Sequence, residues 1–193
     1  LTATASASNK TYNGSTTATT TLTFTGLVGS ETLGQTVGST FDNKNVGSNK
    51  TVTVNSITLA DGSNGGLAAN YSISVGQTST AHISPKALTV SGNTASNKIY
   101  DGNSSATVTV SLSGFIGSET LTHTNSSSFN NKNIGAGKTV TVNSIILADG
   151  TNGGLATNYS VTPGQTTTAN LTAKALTISG ITSSSKTYNG STS

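Results

Sequence analysis

Apolar residues along this chain recur at every second position, not every third or fourth. Ala106, Val108, Val110 and Leu112 share one parity, with Thr or Ser between them, and Tyr71, Ile73 and Val75 share another. That alternation predicts half-buried β-strands, and no stretch has a helical face. Strands are expected at 87–92, 106–113, 119–124, 138–147, 157–162 and 166–172. Gly and Asn fill the gaps, at Gly26, Gly29, Asp61-Gly62 and Asn64-Gly65-Gly66. These are turn signals because both residues tolerate positive φ.

One strand changes phase midway. Val52 and Val54 are even, whereas Ile57 and Leu59 are odd, and the same switch recurs at Asn143-Ser144. A one-residue bulge at Asn55-Ser56 restores the inward face after such a switch.

The pattern also repeats as a whole. Tyr12, Tyr100 and Tyr188 are 88 residues apart, and 1–86 laid on 89–174 gives 48 identities in 86 positions. A one-residue slip at Leu1 is needed at the N-terminal edge. The expected modules are 1–86 and 87–174, with 175–193 opening a third. A period of 88 exceeds a solenoid rung and suits a small β-sandwich. The fold expectation is all-β: tandem Ig-like β-sandwich modules of about 88 residues arranged in line, the alternative being a smaller β-fold with one short helix near Gly153-Gly154-Leu155. The joints Ser84-Pro85-Lys86 and Thr172-Ala173-Lys174 are short, which limits bending. The chain starts at Leu1 and stops at Ser193 without a natural beginning or end, so the expectation is a segment of something longer.

Composition narrows the chemistry. Of 193 residues only 8% are charged, 30 are Ser, 38 are Thr, and there is no Cys, Met, Trp or Arg. Solubility therefore rests on hydroxyls and amides. Cysteine-based nucleophiles, disulfides and metal sites are excluded. The net charge of +3 comes from scattered lysines. Without Arg and without a basic stripe, nucleic acid is not an expected partner. No apolar run is long enough to span a membrane as a helix.

The candidate reactive residues are few. His82 and His123 are replaced by Asn170 and Gln35 in the other copy, so neither supports a repeated catalytic or metal site. Glu31 and Glu119 recur, as do Asp61 and Asp149, but no acid pair is fixed in one cleft. The oxygen-rich loops around Asp61 and Asn64, and around Asp149 and Asn152, are weak calcium candidates with one carboxylate each. The recurring lysines, Lys10, Lys44, Lys50 and Lys86, read as solvated strand ends that blunt sheet edges. Tyr12 and Tyr71 recur as Tyr100 and Tyr159, and are expected to pack with their hydroxyls at the surface.

Several phrases form an ordered set. Lys98-Ile99-Tyr100-Asp101-Gly102 opens one module, and Lys10-Thr11-Tyr12-Asn13-Gly14 and Lys186-Thr187-Tyr188-Asn189-Gly190 open its neighbours. Phe41-Asp42-Asn43-Lys44-Asn45-Val46-Gly47 follows mid-module, and Asn70-Tyr71-Ser72 comes near the end. This set resembles the YDG-type, MBG-related tandem repeat of bacterial filamentous-haemagglutinin-like surface adhesins. The resemblance implies a secreted, non-catalytic stalk or fibre module at the bacterial cell surface, without cofactor. Its implied partners are the neighbouring repeats of the same protein. Self-assembly into filaments by strand addition is a further expectation, since the 175–193 segment holds only opening strands. The alternative is a carbohydrate- or host-receptor-binding adhesin module acting by avidity.

Overall fold

The computed structural model describes residues 1–192. The chain is all-β, in two tandem sandwich-like modules. The first holds β1 (Thr2–Ala7), β2 (Lys10–Thr11), β3 (Thr17–Ala18), β4 (Thr20–Thr25), β5 (Leu33–Phe41), β6 (Gly47–Asp61) and β7 (Thr78–Ser84). β8 (Lys86–Ala87) is the joint. The second module holds β9 (Thr89–Ala95), β10 (Lys98–Ile99), β11 (Ser105–Ala106), β12 (Val108–Ser113), β13 (Leu121–Phe129), β14 (Gly135–Asp149), β15 (Tyr159–Ser160) and β16 (Thr166–Thr172).

Each module has a five-stranded sheet, ordered β2-β7-β6-β5-β3 and β10-β16-β14-β13-β11, and a two-stranded sheet, β1-β4 and β9-β12. The opening strand serves both. β1 pairs antiparallel with β4, and the chain then crosses so that β2 runs parallel to the end of β7, Lys10 opposite Ile83. The core lies between the sheets. In module two, Val108 and Val110 of β12 face Phe129, Val140, Val142, Ala169 and Leu171 of the larger sheet. Alternate residues of these strands point to solvent, as the period-two pattern requires.

The bulge lies where the phase switch places it. Gly38 pairs with Ser56 and Ser39 with Val54, so Asn55 is the extra residue; Asn143 is extra in the copy. The slip at Leu1 is also a bulge. Val90 pairs with Leu112 and Gly92 with Ser111, leaving Ser91 as one residue that β1 lacks. Leu1 and Leu88 are thus equivalent, and their backbone nitrogens donate to the matching carbonyls of Ser72 and Ser160.

Other boundaries differ from expectation. The strand expected at 119–124 runs from Leu121 to Phe129. That expected at 157–162 is a one-turn 3₁₀ helix, Ala156–Asn158, followed only by Tyr159–Ser160. The Asp149 carboxylate holds this turn by accepting the Ala156 N–H at 2.7 Å, a constraint that alternation does not reveal. Residues 174–192 contain no strand.

Two glycines show different needs. A Cβ on Gly66 would lie 2.1 Å from the carbonyl oxygen of Thr32, whereas Gly29 has open space but a φ of +56°. Gly66→Ala should therefore destabilise module one by about 2–3 kcal/mol through backbone displacement. Gly29→Ala should cost only about 1 kcal/mol of left-handed strain. Denaturant melts of the two variants check the ranking; equal losses would contradict it.

Candidate functional site

The repeated side chains converge at the joint between modules. Each arrives on a short, locally specified element. β2 lies along the end of β7, and the Tyr12 N–H donates to Ser84 O at 2.8 Å, which fixes the tyrosine at the module's C-terminal end. Lys44 sits in the turn between β5 and β6. That turn is built by Asn43, whose Oδ1 accepts the Asn45 N–H and the Lys50 ammonium, at 3.0 and 2.8 Å. From the next module, Glu119 ends a tight turn closed by its own N–H to Ile116 O, and Tyr159 follows the 3₁₀ turn.

Glu119 is the centre. Its Oε1 accepts from the Tyr12 hydroxyl at 2.7 Å and from Lys44 Nζ at 2.9 Å, both across the joint. Its Oε2 accepts from the Tyr159 hydroxyl at 2.6 Å within its own module. The Tyr12 and Tyr159 rings meet edge to face at 5.5 Å, Phe115 packs on Tyr159, and Lys44 Nζ lies 5.9 Å from the Tyr12 ring centre. Glu119 is 7% exposed, Tyr12 1% and Tyr159 4%. Beside them Asn158, fully buried, accepts the Val46 N–H at 2.9 Å and donates to Asn45 Oδ1 at 3.1 Å. The buried cluster that begins with Phe41, Val52 and Ile83 in module one continues into Leu88 and Tyr159 without a break. The joint residues themselves join the second module, Lys86–Ala87 running parallel to Tyr159–Ser160.

The electrostatics follow from this packing. Burial pushes the Glu119 carboxyl up, but donation from Tyr159, Tyr12 and Lys44 outweighs it and holds the group below its ordinary value. Burial, reinforced by the neighbouring carboxylate, raises Tyr12 and pushes Tyr159 up to about 12. The hydrogen bond to Glu119 raises Lys44. The ionised acid, two neutral phenols and the ammonium thus stabilise one another over a wide pH range. Nothing in the set is poised to exchange a proton near neutrality, so it serves as a clamp.

The opening motif acquires a physical role here. Tyr12 supplies the hydroxyl, and Gly14 leaves room: a Cβ there would lie 2.7 Å from Cγ2 of Ile116 in the next module. The residue between them shapes the turn. Asn13 Oδ1 accepts the Ser15 N–H, and Asp101 Oδ1 accepts the Asn103 N–H, each at 3.1 Å, so Asn and Asp are interchangeable.

The other candidates make no hydrogen bond to Glu119. Asp61 and Asp149 each hold a 3₁₀ turn through a backbone N–H, and Asn64 and Asn152, both at positive φ, donate to Ser30 O and Ser118 O. Among the described residues no group of three His, Cys, Asp or Glu comes together. His82 Nδ1 accepts the Asn49 N–H at a bulge of β6, and Asn170 Oδ1 accepts the Gly137 N–H at the equivalent place, which explains their exchange.

Two expectations are corrected. The Tyr12 and Tyr159 hydroxyls are buried rather than at the surface, because the adjoining module covers them. Lys50 is 8% exposed and pairs with Asp42 at 2.8 Å, so it is an internal brace of the turn that presents Lys44. The signal for the joint was present in the sequence, since Tyr12, Lys44, Glu119 and Tyr159 all recur. Nothing in a repeat says that two of them belong to one module's end and two to the next module's beginning.

Removing the centre of the clamp should cost more than removing its copy. Glu119→Ala leaves two buried phenols and a lysine without their acceptor and should cost about 3 kcal/mol. Glu31→Ala, at a half-buried site facing water, should cost less than about 1 kcal/mol. Urea melts of the two variants check this. Because the folded Glu119 value is depressed, its contribution is complete above the unfolded value of about 4.3 and is lost as pH falls through the folded one. Tyr159 is raised, so its contribution is complete below about 10 and drains away toward about 12. Module–module coupling should therefore hold between those limits; tyrosine absorbance in wild type and Tyr159→Phe checks the alkaline limb.

No curated protein and no solved structure matches the chain. A family model described as YDG domain matches residues 1–81 and again 84–169, one copy for each module. Together the two matches cover most of the sequence, and the chain belongs to the YDG domain family.

Proposed function

We propose that this chain is a structural stalk or fibre stretch of a secreted bacterial surface protein, an adhesin or extracellular filament, with no catalytic role. The observation that carries this reading is the joint centred on the buried Glu119 carboxylate. A linker that only tethered two independent domains would have no use for a buried carboxylate bound by both neighbours. A load-bearing array has such a use, because each contact between neighbours adds to the stiffness and stability of the whole. Low charge and a surface of Ser, Thr and Asn suit a long polymer-like projection. The burial of Tyr12 and Tyr159 at the joint supports a scaffold role for these two over carbohydrate stacking, which needs an exposed ring face.

Residual dipolar couplings of the 1–193 chain test this. The two modules should report one common alignment tensor, and Glu119→Ala should split it into two. Two unrelated tensors in the wild-type chain would mean a flexible tether and would end the stalk reading.

A further inference from the structure

The two outer ends of the pair repeat the two halves of the joint. At the N-terminal end, Tyr71 donates to Glu31 as Tyr159 does to Glu119, and it accepts the Val28 N–H at 3.1 Å as Tyr159 accepts that of Ile116 at 3.0 Å. The second oxygen of Glu31, the counterpart of the one that receives Tyr12 and Lys44, has no partner among the described residues. Val28 is 69% and Leu67 51% exposed, whereas their copies at the joint, Ile116 and Leu155, are partly covered. At the C-terminal end the complement holds. Tyr100 is 36% exposed where Tyr12 is 1%, and Ile134 is 58% exposed where Val46 is packed. Gly102 faces open space where Gly14 faces Ile116. Tyr100, Asn133, Ile134, Ala173, Lys174 and Leu176 line an open concavity of about 500 Å³.

We infer that the C-terminal face of module two, centred on Tyr100, Lys132 and Ile134, is a docking site for the Glu31–Tyr71 face of a second copy of this chain. The continuity with the internal joint argues for that occupant: the Tyr, Lys, Glu and Asn of the joint recur at the outer faces, and its apolar contacts stay apolar, with Val28 for Ile116, Leu27 for Phe115 and Ile134 for Val46. Glu31 would receive the Tyr100 hydroxyl and the Lys132 ammonium, and Val28 would enter the space that Gly102 leaves. Asn70, exposed here, would meet the Asn133–Ile134 backbone as Asn158 meets Asn45 and Val46. The contact is head-to-tail, so one copy's site is always left open and association continues copy by copy. It deepens the fibre reading and rests on it, since it treats the joint as a built interface and not as a by-product of tethering.

Sedimentation velocity of the 1–193 chain tests the inference. A short covalent linker gives the internal joint an effective concentration of order mM, so the series runs up to about 1 mM. The wild-type chain is expected to form dimers and longer species in a concentration-dependent way. Glu31→Lys and Ile134→Asp should each weaken self-association at least ~10-fold while leaving the circular dichroism of the folded chain unchanged. Their mixture should form a 1:1 dimer and no longer species, because only one intact pair of faces remains. A wild-type chain that stays monomeric throughout overturns the inference, as does either variant associating like wild type, the result expected if the exposed 175–192 segment drives contact. In each of those cases a common alignment tensor for the two modules would leave the stalk reading standing.

Discussion

The assembly depends on one carboxylate that neither module satisfies alone. Taking Glu119 out of water costs several kcal/mol unless donors replace its hydration. Its own module offers one phenol, and the preceding module offers a second phenol and an ammonium. The charge is therefore compensated only when the two modules sit in a single register. An apolar joint would tolerate small rotations, because hydrophobic burial is not directional. A carboxylate with three donors and an amide pair alongside does not. The surrounding Leu88, Ile116 and Phe115 supply area, and the polar set supplies orientation.

The rest of each module serves to hold these groups. Lys50 is buried to brace the turn that carries Lys44, and Lys138 bonds Asn131 in the same place in the second copy. Asp61 and Asp149 close the 3₁₀ turns that deliver Tyr71 and Tyr159. The short parallel pairing of β2 with β7 brings Tyr12 to the module end. With so few charges in the chain, most of those it has go to these turns and to the joint. Lys98 with Asp101 and Lys50 with Asp42 are local pairs, and Lys44 with Glu119 alone crosses between modules among the described salt bridges.

Equivalent residues in the two copies have different environments. Glu31 and Glu119 have the same immediate neighbours in the chain, and Tyr12 and Tyr100 sit in equivalent turns despite the exchange of Thr11 and Asn13 for Ile99 and Asp101, yet Glu119 and Tyr12 are buried, whereas Glu31 is half-buried and Tyr100 exposed. The difference follows what stands in front: the adjoining module covers Glu119 and Tyr12. A repeat of this kind carries both halves of its own interface, and the halves become a joint only when copies follow one another.

Much of the module was legible in the sequence. Alternation marks the β-strands, the phase switches mark the bulges at Asn55 and Asn143, and the 88-residue period marks two copies, because side-chain direction along a strand is a local property of the backbone. The two-residue strands were not legible, since a few hydrogen bonds hold them and leave no periodic trace, and the 3₁₀ turn at Ala156–Asn158 was legible only as the alternative of a short helix near Gly153-Gly154-Leu155. The recurring Tyr, Lys and Glu could be picked out by their repetition, but the same pattern reads equally well as solvated strand ends and surface phenols. Only the tertiary structure decided that they meet. Burial, and with it the shifted ionisation of Glu119 and Tyr159, depends on which surfaces approach in space, and that approach joins residues 107 positions apart in the chain.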